Sequence, residues 1–183
     1  MKYRYLTIFT LISIAFWLIS FLFRIFIVKL PEIENISDNQ NVTYDAVNLL
    51  YNNDKFSAFI LILKTNLKAC VLNISGGAMF GIGTIINLIY NGFMMADTFL
   101  LIYESGTGFS VIFKRTIPHS FELIGLWLSG GMGLYIAYNI LLLMKGKQSF
   151  TRQFYNVIGI GCVVTFIIIL SAAYVETYIS STL

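Results

Sequence analysis

The chain has 183 residues, of which 57% are hydrophobic and only 11% charged, with a mean hydropathy of +0.79. That balance excludes an ordinary soluble domain and reads as an integral membrane protein. The formal net charge of +3 comes from residues flanking apolar runs, so nothing reads as a nucleic-acid surface.

Residues 1–30 read as an N-terminal transmembrane anchor. Its apolar run from Leu6 to Val28 has Lys2 and Arg4 before it and Lys29 after it. Arg24 lies close enough to the far end to reach the interface. The run is too long for the apolar region of a signal peptide, and no small-x-small cleavage site follows.

Residues 31–55 form an acidic stretch with Glu32, Glu34, Asp38, Asp45 and Asp54, read as an external solvated connector. The bases on the near side of the first span place the N-terminus in the cytoplasm.

Residues 56–183 read as a membrane domain with about four spans. A span over 69–90 follows an amphipathic lead-in from Phe56 that carries Lys64 and Lys68, and the Asn91-Gly92 pair then reads as a turn or helix break. A third span over 93–113 is interrupted by Asp97, Glu104 and "ESGTG", the mark of a discontinuous or re-entrant segment. A complete crossing is preferred, because it keeps the later basic connector inside. The fourth and fifth spans, 120–144 and 156–176, are joined by "KGKQSFTR", whose Lys145, Lys147 and Arg152 argue for the cytoplasm and are the candidate contacts for a partner. The fold class is therefore all-α, a polytopic membrane bundle of about five helices with the C-terminus external, multi-pass in a bacterial plasma membrane.

The spans are not uniformly greasy. At about 100° per residue, Asn66, Cys70, Asn73, Gly77, Gly81, Thr84, Asn87 and Asn91 share one stripe of the second helix and its lead-in. Gly77 and Gly81 make a G-x-x-x-G step for close backbone approach, and the asparagine amides can hydrogen-bond across the contact. Gly125, Ser129, Gly133 and Ala137 form a second small-residue ladder, with Glu122 on the same face. A carboxylate facing hydrocarbon is expensive, so Glu122 should look into protein and have a partner.

Pro118 suits the first turn of that helix with Thr116 as its cap, and His119 shares a face with Glu122 at i, i+3. The pair reads first as an interfacial lock, and second as a proton- or ion-handling group with Asp97 or Glu104. Other chemistries find little support. One histidine without an H-E-x-x-H spacing gives no metal site, and Ser120 beside His119 cannot face it on a helix. No Walker motif is present, so nucleotide-driven work needs a separate ATPase. Cys70 and Cys162 sit in apolar spans with no disulfide or metal indicated, and no cofactor or catalytic residue is assigned. The chain is not expected to be an enzyme by itself.

The region from about Asn66 to Leu143, with "NISGGAMFGIGTIINLIYNGFMMAD" followed by "IPHSFELIGLWLSGGMGLYIA", resembles the stage II sporulation protein M family of multipass membrane proteins. The resemblance implies that Asn91, Gly92, Pro118, His119 and Glu122 form the family's recognisable core, although Ser120 stands where the family usually has glycine after Pro-His. It assigns them no reaction. Members of that family either anchor a peptidoglycan-remodelling complex in sporulation, or accompany circular bacteriocins in maturation, export or self-protection. The Pro-His-x-x-Glu form is more similar to the second branch. The implied partners are the bilayer, a second copy or a separate membrane or ABC-type ATPase subunit, and a hydrophobic peptide.

Overall fold

The computed structural model describes residues 4–27, 42–104, 109–147 and 150–179. They form helices α1 (Arg4–Ile27), α2 (Val42–Tyr51), α3 (Lys55–Gly76), α4 (Ile82–Glu104), α5 (Phe109–Met144) and α6 (Arg152–Tyr174). A 3₁₀ turn (Gly77–Met79) links α3 to α4, and a π-helical turn (Val175–Ile179) extends α6. No strand occurs among the described residues, so the protein is an all-α polytopic bundle.

Among the described residues, four stretches are long and apolar enough to cross a membrane: Arg4–Ile27, Lys55–Met79, Phe121–Met144 and Arg152–Ile179. The first and the last two match the expected spans closely. The span expected over 69–90 does not exist as one helix, because the chain reverses in its middle, and the complete crossing expected over 93–113 is not one either, since α4 ends at Glu104 and α5 begins at Phe109. Phe80 takes φ 55° and Gly81 φ 82°, both left-handed, and α4 then runs back along α3. Gly81 accepts this conformation without a Cβ penalty, whereas Phe80 is an uncommon occupant. The Gly77 N–H turns to the Ile74 and Ser75 carbonyls, and the Thr84 hydroxyl donates to the Asn73 carbonyl at 2.7 Å. Backbone freed by a break inside a membrane must find such partners.

The expected turn at Asn91-Gly92 is corrected in the same way, since both residues lie in the middle of α4. Asn91 donates to the Asn87 carbonyl at 2.7 Å within its own helix. A methyl group at Gly92 would press on the Trp17 carbonyl of α1, so this glycine is a contact point. Nor does Pro118 open a helix: α5 begins at Phe109 and runs through it. Pro118 precedes the apolar stretch that starts at Phe121, so the hydrogen bond its missing N–H cannot make falls outside that stretch. The Thr116 side chain falls outside the described residues.

Within the stretch expected to be a connector, α2 forms a short helix, burying Ala46 against Ile62 of α3 and Ala173 of α6. Asp54 then caps α3 by accepting from the Ser57 N–H at 3.1 Å, and hydrogen bonding from the Ser57 hydroxyl together with this backbone bond holds its carboxyl below the ordinary carboxylate range.

Pairings along the helices fix their directions. Tyr5 stacks on Tyr138, Phe9 packs on Tyr135, and Trp17 meets Trp127, so α1 is antiparallel to α5. Tyr135 packs on Phe154, and Gly125 lies against Ile169, so α6 is antiparallel to α5 as well. Asn66 meets Glu122, and Gly77 meets Gly133, so α3 runs parallel to α5. The start of α1, the end of α5 and the start of α6 therefore share one end of the bundle, as the basic flanks required. The α3–α4 hairpin enters from the other end. Its turn sits level with Gly133 to Ala137, about 10 to 15 Å short of the end of α5.

Candidate functional site: a polar core behind the hairpin

Alpha5 is the centre of the bundle; 56% of its apolar window is buried, against at most 33% in the other three spans. Its glycines make this possible by letting several neighbours approach: Gly125 faces α6, Gly130 and Gly131 face Ser13 and Thr10 of α1, and Gly133 faces the Asn73 carbonyl and Thr84. The G-x-x-x-G step expected within one helix is instead divided in use. Gly77 touches the Gly133 carbonyl across the α3–α5 seam, while Gly81 forms the reversal and lies over Ala137.

A line of amides fills the space between α3, α4 and α5. Asn73 is its hub and is fully buried, with 0% exposure. Its amide nitrogen donates to the Leu126 carbonyl at 3.1 Å and to the Ser129 hydroxyl at 3.0 Å, both on α5. Its amide oxygen accepts from Asn87 Nδ2 of α4 at 2.7 Å. Asn87 also donates to the Ala69 carbonyl at 3.0 Å and accepts from Asn91 Nδ2 at 3.2 Å. Toward the end where the hairpin enters, Asn66 Nδ2 donates to Glu122 Oε1 at 2.5 Å. The carboxyl expected to be sheltered is thus half-buried and held by an amide of α3.

The residues of the expected stripe do gather, but by a different route. Asn73 and Asn87 share a helical face at 100° per residue, yet on one straight helix they would stand about 21 Å apart. The reversal at Gly81 folds them onto each other instead. Four glycines among residues 76–83 are the signal that marks the break.

An ion pair that the sequence reading did not anticipate joins the hairpin to α1. Arg24 Nε lies 2.6 Å from Asp97 Oδ1, with side chains 18% and 31% exposed. Arg24 does not simply reach for the interface, and Asp97 is engaged by α1. Neutralising one partner leaves a half-desolvated charge, so Asp97→Asn is expected to cost about 1–2 kcal/mol, between exposed and buried pairs. The charge-swapped double variant Arg24→Asp with Asp97→Arg should recover part of that loss in a denaturation titration in detergent.

His119 and Pro118 lie on helical backbone of α5, and their side chains fall outside the described residues, as does that of Glu104. Cys70 and Cys162 are free thiols. Lys145, Lys147 and Arg152 are exposed at the opposite end of the bundle from Glu122.

The stage II sporulation protein M family matches residues 13–181, which covers nearly the whole chain. The chain belongs to that family. The match extends well beyond the resemblance over Asn66 to Leu143, taking in α1 and α6, so the family's shared unit includes the helices that clasp the hairpin. An uncharacterized protein of Methanocaldococcus jannaschii is 30% identical over 125 residues, 67% of this chain and 70% of its own length. No solved structure matches the chain.

Proposed function

We propose that this stage II sporulation protein M family member is a non-catalytic membrane subunit of a system that exports a hydrophobic peptide or protects the cell from it. A separate ABC-type ATPase supplies the energy. The observation that carries this reading is the α3–α4 hairpin, which breaks inside the bundle against α5 and lines its inner face with Asn66, Asn73, Asn87 and Asn91. Discontinuous helices with polar groups at membrane depth are the arrangement transporters use to meet a cargo. Side-chain amides carry the same donor and acceptor as a peptide bond, so groups that now satisfy one another can exchange partners with a polypeptide backbone.

The test is gene deletion in the native cell together with a gentle-detergent pull-down. The reading expects an ATPase among the bound proteins and a fall in secretion of, or tolerance to, the peptide. Unchanged secretion and tolerance with no ATPase recovered would sink it. Recovery of peptidoglycan hydrolases instead would assign the chain to an envelope-remodelling scaffold.

A further inference from the structure

The carboxylates of this bundle are gathered at one end, where bases such as Arg24, Lys55 and Lys64 accompany them. Among the described residues, Asp45, Asp54, Asp97, Glu104, Glu122 and Glu176 all lie in the half where the hairpin enters. The opposite end holds Arg4, Lys145, Lys147 and Arg152, all exposed, and no carboxylate among the described residues. A cationic surface with no acid to answer it is built for an anion from outside the chain.

The local structure presents these cations at a fixed depth. Alpha5 stops in a Schellman turn: the Gly146 N–H bonds the Leu143 carbonyl at 2.9 Å, the Lys147 N–H bonds the Leu142 carbonyl at 3.0 Å, and Gly146 takes φ 68°. Thr151 then caps α6 by accepting from the Phe154 N–H at 3.3 Å. Just beneath lies a layer of rings, with Tyr5 on Tyr138 at 5.7 Å, Tyr135 on Phe154 at 5.5 Å and Phe150 on Phe154 at 5.0 Å. Tyrosine-rich belts mark the membrane–water interface, so the cations stand at headgroup level.

Helix stability explains only half of them. Lys145 and Lys147 complement the negative end of α5, but Arg4 and Arg152 are the first residues of α1 and α6, where the helix dipole disfavours a cation. Neither helix has an acid in its first turn to offset the charge.

We propose that Arg4, Lys145, Lys147 and Arg152 form a binding surface for the phosphate groups of anionic phospholipids in the leaflet they face. A lipid is the occupant because its phosphodiester is already at the depth of the cations, and the connector between α5 and α6 is too short to offer much protein surface. The three residues expected from sequence to contact a partner protein are thereby reassigned to lipid. The inference stands apart from peptide export, since it concerns the other end of the molecule and no cargo.

The experiment reconstitutes the full chain in phosphatidylcholine vesicles with and without phosphatidylglycerol, then measures thermal unfolding and the phosphatidylglycerol retained on extraction by native mass spectrometry. Wild type should be stabilised by the anionic lipid and retain it. Lys145→Gln/Lys147→Gln/Arg152→Gln should weaken retention on the order of 100-fold, at roughly fivefold per cation lost, and Arg152→Lys alone should keep it. Equal behaviour of wild type in the two vesicles overturns the proposal, and this comparison decides it even if the triple variant fails to assemble. It is also overturned if inorganic phosphate in detergent gives the same stabilisation, or if the assembled triple variant keeps its lipid as wild type does.

Discussion

Gly133→Ala is expected to unseat the α3–α4 hairpin from α5, destabilising the folded bundle by about 3 kcal/mol or more, at the upper end of overpacking costs. The added methyl would overlap the Asn73 carbonyl oxygen and the Thr84 side chain. A backbone carbonyl in a helix cannot step aside as a flexible side chain can, and that same carbonyl is fixed by the Thr84 hydroxyl. The same substitution at Gly159 provides the contrast. There a methyl meets nothing within 4 Å, so Gly159→Ala should be neutral or stabilise the helix by up to about 1 kcal/mol. Denaturant titrations of both variants in one detergent, followed by the fluorescence of Trp17 and Trp127, would compare them directly. Equal stability of the two would mean that α3 does not lie on α5 at Gly133.

The contrast also shows what the sequence could and could not reveal. The outer limits of α1 and α6 and the end of α5 were legible because each is an apolar run bounded by charges or by turn residues, whereas α5 starts at Phe109, well before the expected opening at Pro118. The inward face of α5 was legible from its four-residue ladder of small residues, and the need of Glu122 for a partner followed from the cost of burying a carboxylate. The location of the reversal was not. A glycine inside an apolar run permits either close packing or a left-handed turn, and Gly77 and Gly81, four residues apart, take one role each. Asn91-Gly92 carries the stronger local turn signal, but Asn91 spends its amide on its own helix and Gly92 fits against α1. Tertiary packing overrode local chemistry at both places. Arg24 and Asp97 are 73 positions apart, and no periodicity within either helix points to the other.

Mutating Asn73 and Asn87 together should distinguish the reversed hairpin from a continuous helix. Asn73→Ala removes two donations to α5 and the acceptor that Asn87 uses, and it leaves a vacancy the size of an amide at a fully buried position. Its partners are partly cushioned, because the Ser129 hydroxyl still donates to the Leu126 carbonyl at 2.7 Å and Asn87 still reaches the Ala69 carbonyl. A cost of about 2–4 kcal/mol follows from one orphaned donor plus the lost packing. Asn87→Ala, which leaves Asn73 bound to α5, should cost about half as much. The decisive quantity is the coupling between them. Side-chain hydrogen bonds inside membranes contribute about 0.6 kcal/mol on average and up to about 1.7, and a double-mutant cycle should find a value in that range here. On a continuous helix the two amides would stand about 21 Å apart, beyond the distance at which sites couple, and the cycle would close to within about 0.3–0.5 kcal/mol. A closed cycle would therefore remove the reversal at Gly81, and with it the polar inner face on which the proposed cargo contact depends.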